Sequence, residues 1–289
     1  KLWLADYFAF INNKLGGDLN RIHKAGEYFI EVWKACGIDI NKVEVIWASE
    51  RMNKLEYWDR VLKIAKETTL NRSIRATTIM GRKEKELQST AQLFYPSMQV
   101  SDIFELEVNI CQLGLDQRRA NILGREIADK LNWRKPVVVS HHMILGLQGI
   151  QPGADKEETI LASKMSKSKP ETCIYMHDTE EDIKKKIAKA FCPEKIIEGN
   201  PLFDYLKYLI CKKYPKINIK RPDKFGGNIE LSYSELEQQY ISGEIHPLDL
   251  KNTVIFYLND LIQPIRKYFE TNKKAKELYE EVKKYSITR

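Results

Sequence analysis

The sequence predicts an α/β doubly wound parallel sheet followed by an all-helical segment, and three observations carry the prediction. Short apolar runs alternate with helical periodicity through the first part of the chain. One run, "KPVVVS" at 135 to 140, has the β-branched composition of a central parallel strand. From Thr179 the pattern becomes uniformly helical, so the chain divides into a sheet domain, 1–178, and a helical domain, 179–289.

Each element has a local cause. "KLWLAD" at the start is an apolar alternation and reads as a buried strand. Gly16-Gly17-Asp18 caps a helix with apolar positions Ile22, Ala25, Phe29 and Trp33, and Gly37 ends it. "VEVIWAS", 43 to 49, is a second strand, and "YWDRVLKIAKETTLNRSIRATTIMGR" one long helical stretch. A helix from Gln117 to Leu131 leads into the strand at 135 to 140. Beyond the boundary, Thr179 caps a helix with Ile183, Ile187 and Phe191 at helical spacing, and Asn200-Pro201 starts another in the same way. Two more begin near Ser234 and Pro247, the last interrupted near Pro264.

Composition narrows the function classes. With 289 residues, 43% hydrophobic and 30% charged, the chain is an ordinary globular protein large enough for two domains. No apolar run approaches the roughly 20 residues that a membrane helix needs. Five scattered cysteines, an odd number without a C-x-x-C pair, argue for reduced thiols and against a disulfide framework or zinc site, and so for a cytoplasmic location. His141-His142 does not make a metal site, since neighbours on a strand face opposite ways and no third ligand is suitably spaced. The net charge is +7, and between Lys207 and Lys224 seven basic residues face one acid, Asp223. Such a run either holds phosphates or is a solvated face.

Four short stretches carry chemistry. In "LASKMSKSKPET", Lys164 and Lys167 flank Ser166 in a loop of small residues, suited to clamp a triphosphate or simply exposed and basic. In "YPSMQVSD", Tyr95, Gln99 and Asp102 are 4 and 3 positions apart, which puts them on one helical face. That face either binds one small molecule or is a core tyrosine beside a helix cap. In "QLGLDQ", Gly114 permits close backbone approach and Asp116 offers a carboxylate to ribose hydroxyls, although a lone G-x-D is often a turn. Phe225 and His246-Pro-Leu-Asp249 supply an aromatic ring, an imidazole and a carboxylate, the parts that sandwich and read an unstacked base, or else a core ring and a helix start.

These stretches occur in the order, and across nearly the whole chain, that resembles tyrosyl-tRNA synthetases of the archaeal and eukaryotic branch. "KMSKSKPETCIYMHDTEEDIKKKIAKAFCP", "KRPDKFGGNIELSY" and "HPLDLK" are part of the same match, and "AKELYEEVKKYSITR" is most similar to short protist forms. The resemblance implies a Rossmann-like catalytic domain and a helical anticodon-binding domain. It implies L-tyrosine, ATP with its Mg2+, and tRNA(Tyr) as ligands, and a homodimer as the assembly. Tyr95, Gln99 and Gln117 would meet the tyrosine ammonium, and Asp102 the phenol, leaving phenylalanine unable to satisfy that acceptor. Gly114, Asp116, Lys164, Ser166 and Lys167 would hold ATP, with Lys164 and Lys167 steadying the pyrophosphate. Phe225, His246 and Asp249 would hold the first anticodon base, guanine.

The chain also departs from that family. It begins where the family's second strand would be, without the first strand, the H-x-G-H helix and a tyrosine that grips the phenol, so residues 1–289 alone are expected to be incomplete for catalysis and to start inside a longer protein. Segment 149 to 163 is longer than the usual link, and Phe8 stands where many archaeal members have histidine. The rival expectations are a non-catalytic tRNA-binding paralogue or fragment, and a tryptophanyl-tRNA synthetase.

Overall fold

The computed structural model describes residues 1–81, 86–150, 165 and 169–285. They pack as two units, Lys1–His142 joined by the chain from Asn272 onward, and Met143–Thr271. This packing divides the chain otherwise than at residue 178, because Leu147 is buried in the core of the second unit with Ile183 and Ile187.

In the first unit, β1 (Leu2–Leu4) lies parallel to β2 (Val45–Trp47), with Leu2 opposite Val45 and Leu4 opposite Trp47. The crossover between them is α1 (Asp6–Ile11) and α2 (Leu19–Ala35). Asp18 starts α2 by accepting from the backbone N–H groups of Asn20 and Arg21, and Gly37, at φ +89°, lets the chain turn away past its end. Asp6 is buried at the start of α1, just past β1; its carboxylate accepts from the Ser49 hydroxyl and N–H and lies 3.0 Å from His23 Nε2. These bonds tie the start of α1 to α3 (Ala48–Met52).

The expected single helix over 57 to 82 is instead α4 (Leu55–Lys66), α5 (Leu70–Ala76) and a 3-10 turn, Thr77–Met80. Two threonines break it. Thr68 turns its hydroxyl back to the Ile64 carbonyl, and Thr69 caps α5 by accepting from Arg72 N–H. Then come α6 (Ala91–Glu105), β3 (Ile110–Gly114), α7 (Arg118–Lys130) and β4 (Val137–His141). β3 and β4 are parallel, with Ile110 opposite Val137 and Gly114 opposite His141. The "VVV" run was expected to be a central strand. Among the described residues β4 pairs only with β3, and Val137 and Val139 are exposed.

The second unit contains α8 (Glu180–Ala188), α9 (Pro201–Tyr205), α10 (Cys211–Lys213), α11 (Tyr233–Ser242) and α12 (Pro247–Thr271). Thr179 and Ser232 start α8 and α11 with reciprocal capping boxes, closed by Asp182 and Glu235. The segment is not all helical: β5 (Ile217–Ile219) and β6 (Ile229–Leu231) form an antiparallel pair whose Ile217, Ile219 and Leu231 are buried. Nor does α12 break at Pro264, since Ile262, Ile265 and Phe269 are buried on either side of it. That burial outweighs one lost helical hydrogen bond. The last helix, α13 (Lys273–Val282), returns to α2, where Tyr279 stacks on Tyr28 at 6.1 Å between ring centroids.

Candidate active site

The helix α6 presents Tyr95, Gln99 and Asp102 as the spacing requires, with Pro96 inside its first turns and Ser97, Met98 and Ser101 buried behind. Asp102 is 6% exposed. Its Oδ1 accepts a hydrogen bond from the Tyr57 hydroxyl at 2.7 Å, and that hydroxyl is also 3.2 Å from the Met98 carbonyl. The Trp3 indole N–H, buried on β1, completes no hydrogen bond, yet it lies near enough to Asp102 to favour the ionised form.

Burial pushes the Asp102 carboxyl well above the usual carboxylate range, against the pull of the Tyr57 and Trp3 donors. The Tyr57 phenol is raised in turn, first by burial and then by the Asp102 charge. Arg60 and Glu105, the nearest ion pair, meet at 2.7 Å. Tyr95 is pushed up to about 12 by burial and by the charges of Asp102 and Asp116, so its hydroxyl stays neutral. Phe8, buried, sets its ring edge-on to Tyr95 at 4.8 Å, making that wall apolar where an imidazole would be polar.

Gln99 donates its amide N–H to the Gln117 side-chain oxygen at 3.0 Å, and Gln117 donates to the Ile79 carbonyl at 3.1 Å. Gln117 is thereby fixed at the turn between β3 and α7. Gly114 closes β3 and is buried, and Asp116, two residues on, is exposed. One end of the β3–α7 unit therefore brings together Gln117 with Gln99, and the charge of Asp116 with Tyr95. A small molecule bound here would meet neutral acceptors at one end and a buried carboxylate at the other. A groove of about 480 Å3 lined by Ile103, Phe104, Glu107, Arg134 and Pro136 lies toward the amino ends of β3 and β4 and holds none of these residues.

Lys164, Ser166 and Lys167 lie outside the described residues. Met165 is described: half-buried, it packs against the core of the second unit, with its Sδ 3.9 Å from the Tyr205 hydroxyl. In that unit Phe225 ends a 3-10 turn, 61% exposed, with the Lys224 ammonium 4.9 Å from its ring centroid. His246 is exposed and its Nδ1 accepts from Leu248 N–H, so it caps α12. Asp249 sits half-exposed in the first turn.

Tyr57 and Trp3 escaped the sequence reading because they are 45 and 99 positions from Asp102. One signal was present. Tyr57, Val61 and Ile64 form the buried stripe of α4, and a tyrosine in such a stripe needs a partner for its hydroxyl.

Residues 1–263 match the family described as tRNA synthetases class I (W and Y). Tyrosine--tRNA ligase 1, cytoplasmic, of Arabidopsis thaliana is 45% identical over 293 residues, spanning 100% of this chain and 73% of the relative. Tyrosine--tRNA ligase of Saccharolobus solfataricus is 42% identical over 292 residues, 99% of this chain and 80% of its own. The crystal structure of tyrosyl-tRNA synthetase complexed with L-tyrosine from Pyrococcus horikoshii superposes with a TM-score of 0.89 at 40% identity, over 96% of this chain and 81% of that one. The parallel pairs β1–β2 and β3–β4 with their crossover helices thus belong to a class I synthetase fold of mixed α/β structure, and the chain is a member of the class I tRNA synthetase family of the tryptophan and tyrosine enzymes.

Proposed function

We infer that this protein is a tyrosine–tRNA ligase, activating tyrosine with ATP and passing the tyrosyl group to tRNA(Tyr). The observation that carries the choice of tyrosine is Asp102, a buried carboxylate held on α6 in line with Tyr95 and Gln99. A phenol hydroxyl satisfies that acceptor, and an unsubstituted ring leaves it desolvated and unpaired. Tyr95, Gln99 and Gln117 receive the ammonium, the Gln99 carbonyl oxygen being the end of that amide not committed to Gln117.

In the reaction, the tyrosine carboxylate attacks the α-phosphorus of ATP, pyrophosphate leaves, and the adenylate is then attacked by a terminal ribose hydroxyl of the tRNA. The side chains contribute position and charge. The exposed carboxylate of Asp116, beyond Gly114 at the carboxyl end of β3, suits the ATP ribose. Lys164 and Lys167, with Ser166, are assigned to the leaving pyrophosphate on chemistry alone. Mg2+ arrives with ATP and lowers the charge on its phosphates. The stretch 179–271 of the second unit serves as the anticodon-binding part, where exposed Phe225 and His246 offer stacking surfaces and Asp249 a base-reading carboxylate.

The assembly is a homodimer in this reading. α4 turns Leu55, Trp58 and Leu62, at helical spacing, into an exposed apolar stripe suited to a second copy. No helix among the described residues is long and apolar enough to cross a membrane. A cytoplasmic location is supported by the cytoplasmic Arabidopsis relative, and imaging of the tagged native gene product checks it.

Amino-acid-dependent ATP–pyrophosphate exchange on the full natural protein tests the assignment. Exchange that depends on tyrosine and not on tryptophan is expected. Exchange with tryptophan alone, or none while tRNA(Tyr) still binds, would overturn it.

A further inference from the structure

Tyr57 is not among the residues expected to touch the amino acid, yet it grips the one that decides which amino acid fits. We propose that Tyr57 is a positioning residue that sets tyrosine specificity: its hydroxyl fixes the Asp102 carboxylate, occupying Oδ1 and leaving Oδ2 to accept the substrate phenol. The proposal rests on Asp102 being the phenol reader.

The geometry is that of a brace. Tyr57 is fully buried on α4, and Val61 and Ile64 complete its buried stripe. Its hydroxyl has a single hydrogen and two acceptors in range, Asp102 Oδ1 at 2.7 Å and the Met98 carbonyl at 3.2 Å. The shorter contact, to the oxygen of an acid, takes the proton. Met98 and Asp102 are one helical turn apart, so this hydroxyl fixes both that turn of α6 and the carboxylate against α4.

Specificity needs such a brace. A carboxylate free to rotate could turn away from an unsubstituted ring and find other donors, which would reduce the penalty against phenylalanine. A carboxylate held in place cannot relax, and the unpaired acceptor costs its full desolvation. The other groups facing Asp102 do not replace Tyr57. The Trp3 indole N–H, from β1, favours the ionised carboxylate without completing a hydrogen bond to it; Arg60 of α4 is paired with Glu105 of α6; Tyr95 of α6 and Cys111 of β3 carry no charge in their neutral forms.

The test is ATP–pyrophosphate exchange with tyrosine and with phenylalanine across pH, on the full natural protein and its Tyr57→Phe, Asp102→Asn and doubly substituted forms. Tyr57→Phe is expected to raise the tyrosine KM about tenfold or more, the loss of one hydrogen bond to a charged group. The phenylalanine kcat/KM stays within about twofold. The tyrosine-over-phenylalanine ratio falls accordingly, and the acid limb of the tyrosine profile moves to higher pH. In the Asp102→Asn background Tyr57→Phe adds nothing further to the ratio. Circular dichroism verifies that each variant is folded. If Asp102→Asn alters the ratio and folded Tyr57→Phe does not, or if Tyr57→Phe only lowers the melting temperature, Tyr57 is structural and the proposal fails. If Asp102→Asn itself leaves the ratio unchanged, the phenol-reading assignment fails, and this proposal with it.

Discussion

Gln99 and Gln117 are joined side chain to side chain at 3.0 Å, across the gap between α6 and the turn that follows β3. The bond uses the Gln99 N–H, and Gln117 is anchored in turn to the Ile79 carbonyl at 3.1 Å. Gln117 orients Gln99, and in the proposed function it also accepts from the tyrosine ammonium. Gln117→Ala is expected to raise the tyrosine KM about 10- to 100-fold, more than a lone neutral hydrogen bond would, with kcat less affected. Exchange kinetics check this, and an unchanged KM would place the ammonium elsewhere.

The burial of Asp102 has a thermodynamic sign. Its folded pKa lies above the unfolded value, so the folded state prefers the neutral acid. That contribution to stability is complete below the unfolded value of about 3.9 and is lost as pH rises through the folded pKa. Asn at this position never ionises and can still accept from Tyr57. Asp102→Asn should therefore gain stability relative to the natural protein as pH increases from about 4 to about 7, while losing discrimination for tyrosine. Urea denaturation at the two values measures it. A stability difference that does not grow with pH would mean that the carboxylate is not strained by burial.

Local signals gave the parts of the fold that local chemistry decides. Asp18, Thr179 and Ser232 or their neighbours start helices as their sequence neighbourhoods require, and the spacing of Tyr95, Gln99 and Asp102 survives intact on α6. What depended on tertiary burial was not legible. Pro264 reads as a break until Ile262 and Ile265 are seen to be buried, and the β5–β6 pair lies hidden in a basic stretch with Gly226-Gly227 at its turn. In the site, Tyr95 and Asp102 were readable because one helix carries both. Tyr57 and Trp3 reach Asp102 from α4 and β1, and no spacing rule links those positions.

Gly26 makes the close approach of α2 to β2 possible. A Cβ there would run into the outer edge of the Trp47 indole, whose ring is itself packed against His23 at 5.0 Å. In an open helix, glycine to alanine gains about 1 kcal/mol. Overpacking a rigid ring costs about 1 to 3 kcal/mol, so Gly26→Ala should be destabilising on balance. Thermal denaturation decides the sign; a raised melting temperature would show that Trp47 yields freely.

The stripe Leu55, Trp58 and Leu62 on α4 is 81%, 40% and 59% exposed. A charge at the Leu62 end of it leaves the monomer core untouched and should abolish a dimer that buries it, because an unpaired carboxylate resists desolvation. Leu62→Glu is expected to sediment as a monomer where the natural protein sediments as a dimer. If both sediment alike as dimers, the two copies meet through another face.

The proposed anticodon role of Asp249 predicts that its loss separates the two half-reactions. It sits in the first turn of α12, where a carboxylate also favours the helix dipole, so its removal costs at most about 0.5 to 1 kcal/mol of stability. A carboxylate that reads the donor edge of a base is worth about 1 to 3 kcal/mol of discrimination. Asp249→Ala should thus lower kcat/KM for tRNA(Tyr) charging by about 10- to 100-fold while leaving tyrosine-dependent exchange unchanged. Replacing the first anticodon base should reduce charging by the natural protein and have little further effect on the variant. Equal losses in exchange and charging would instead assign Asp249 to stability, and with it the helix-start reading of His246-Pro-Leu-Asp249.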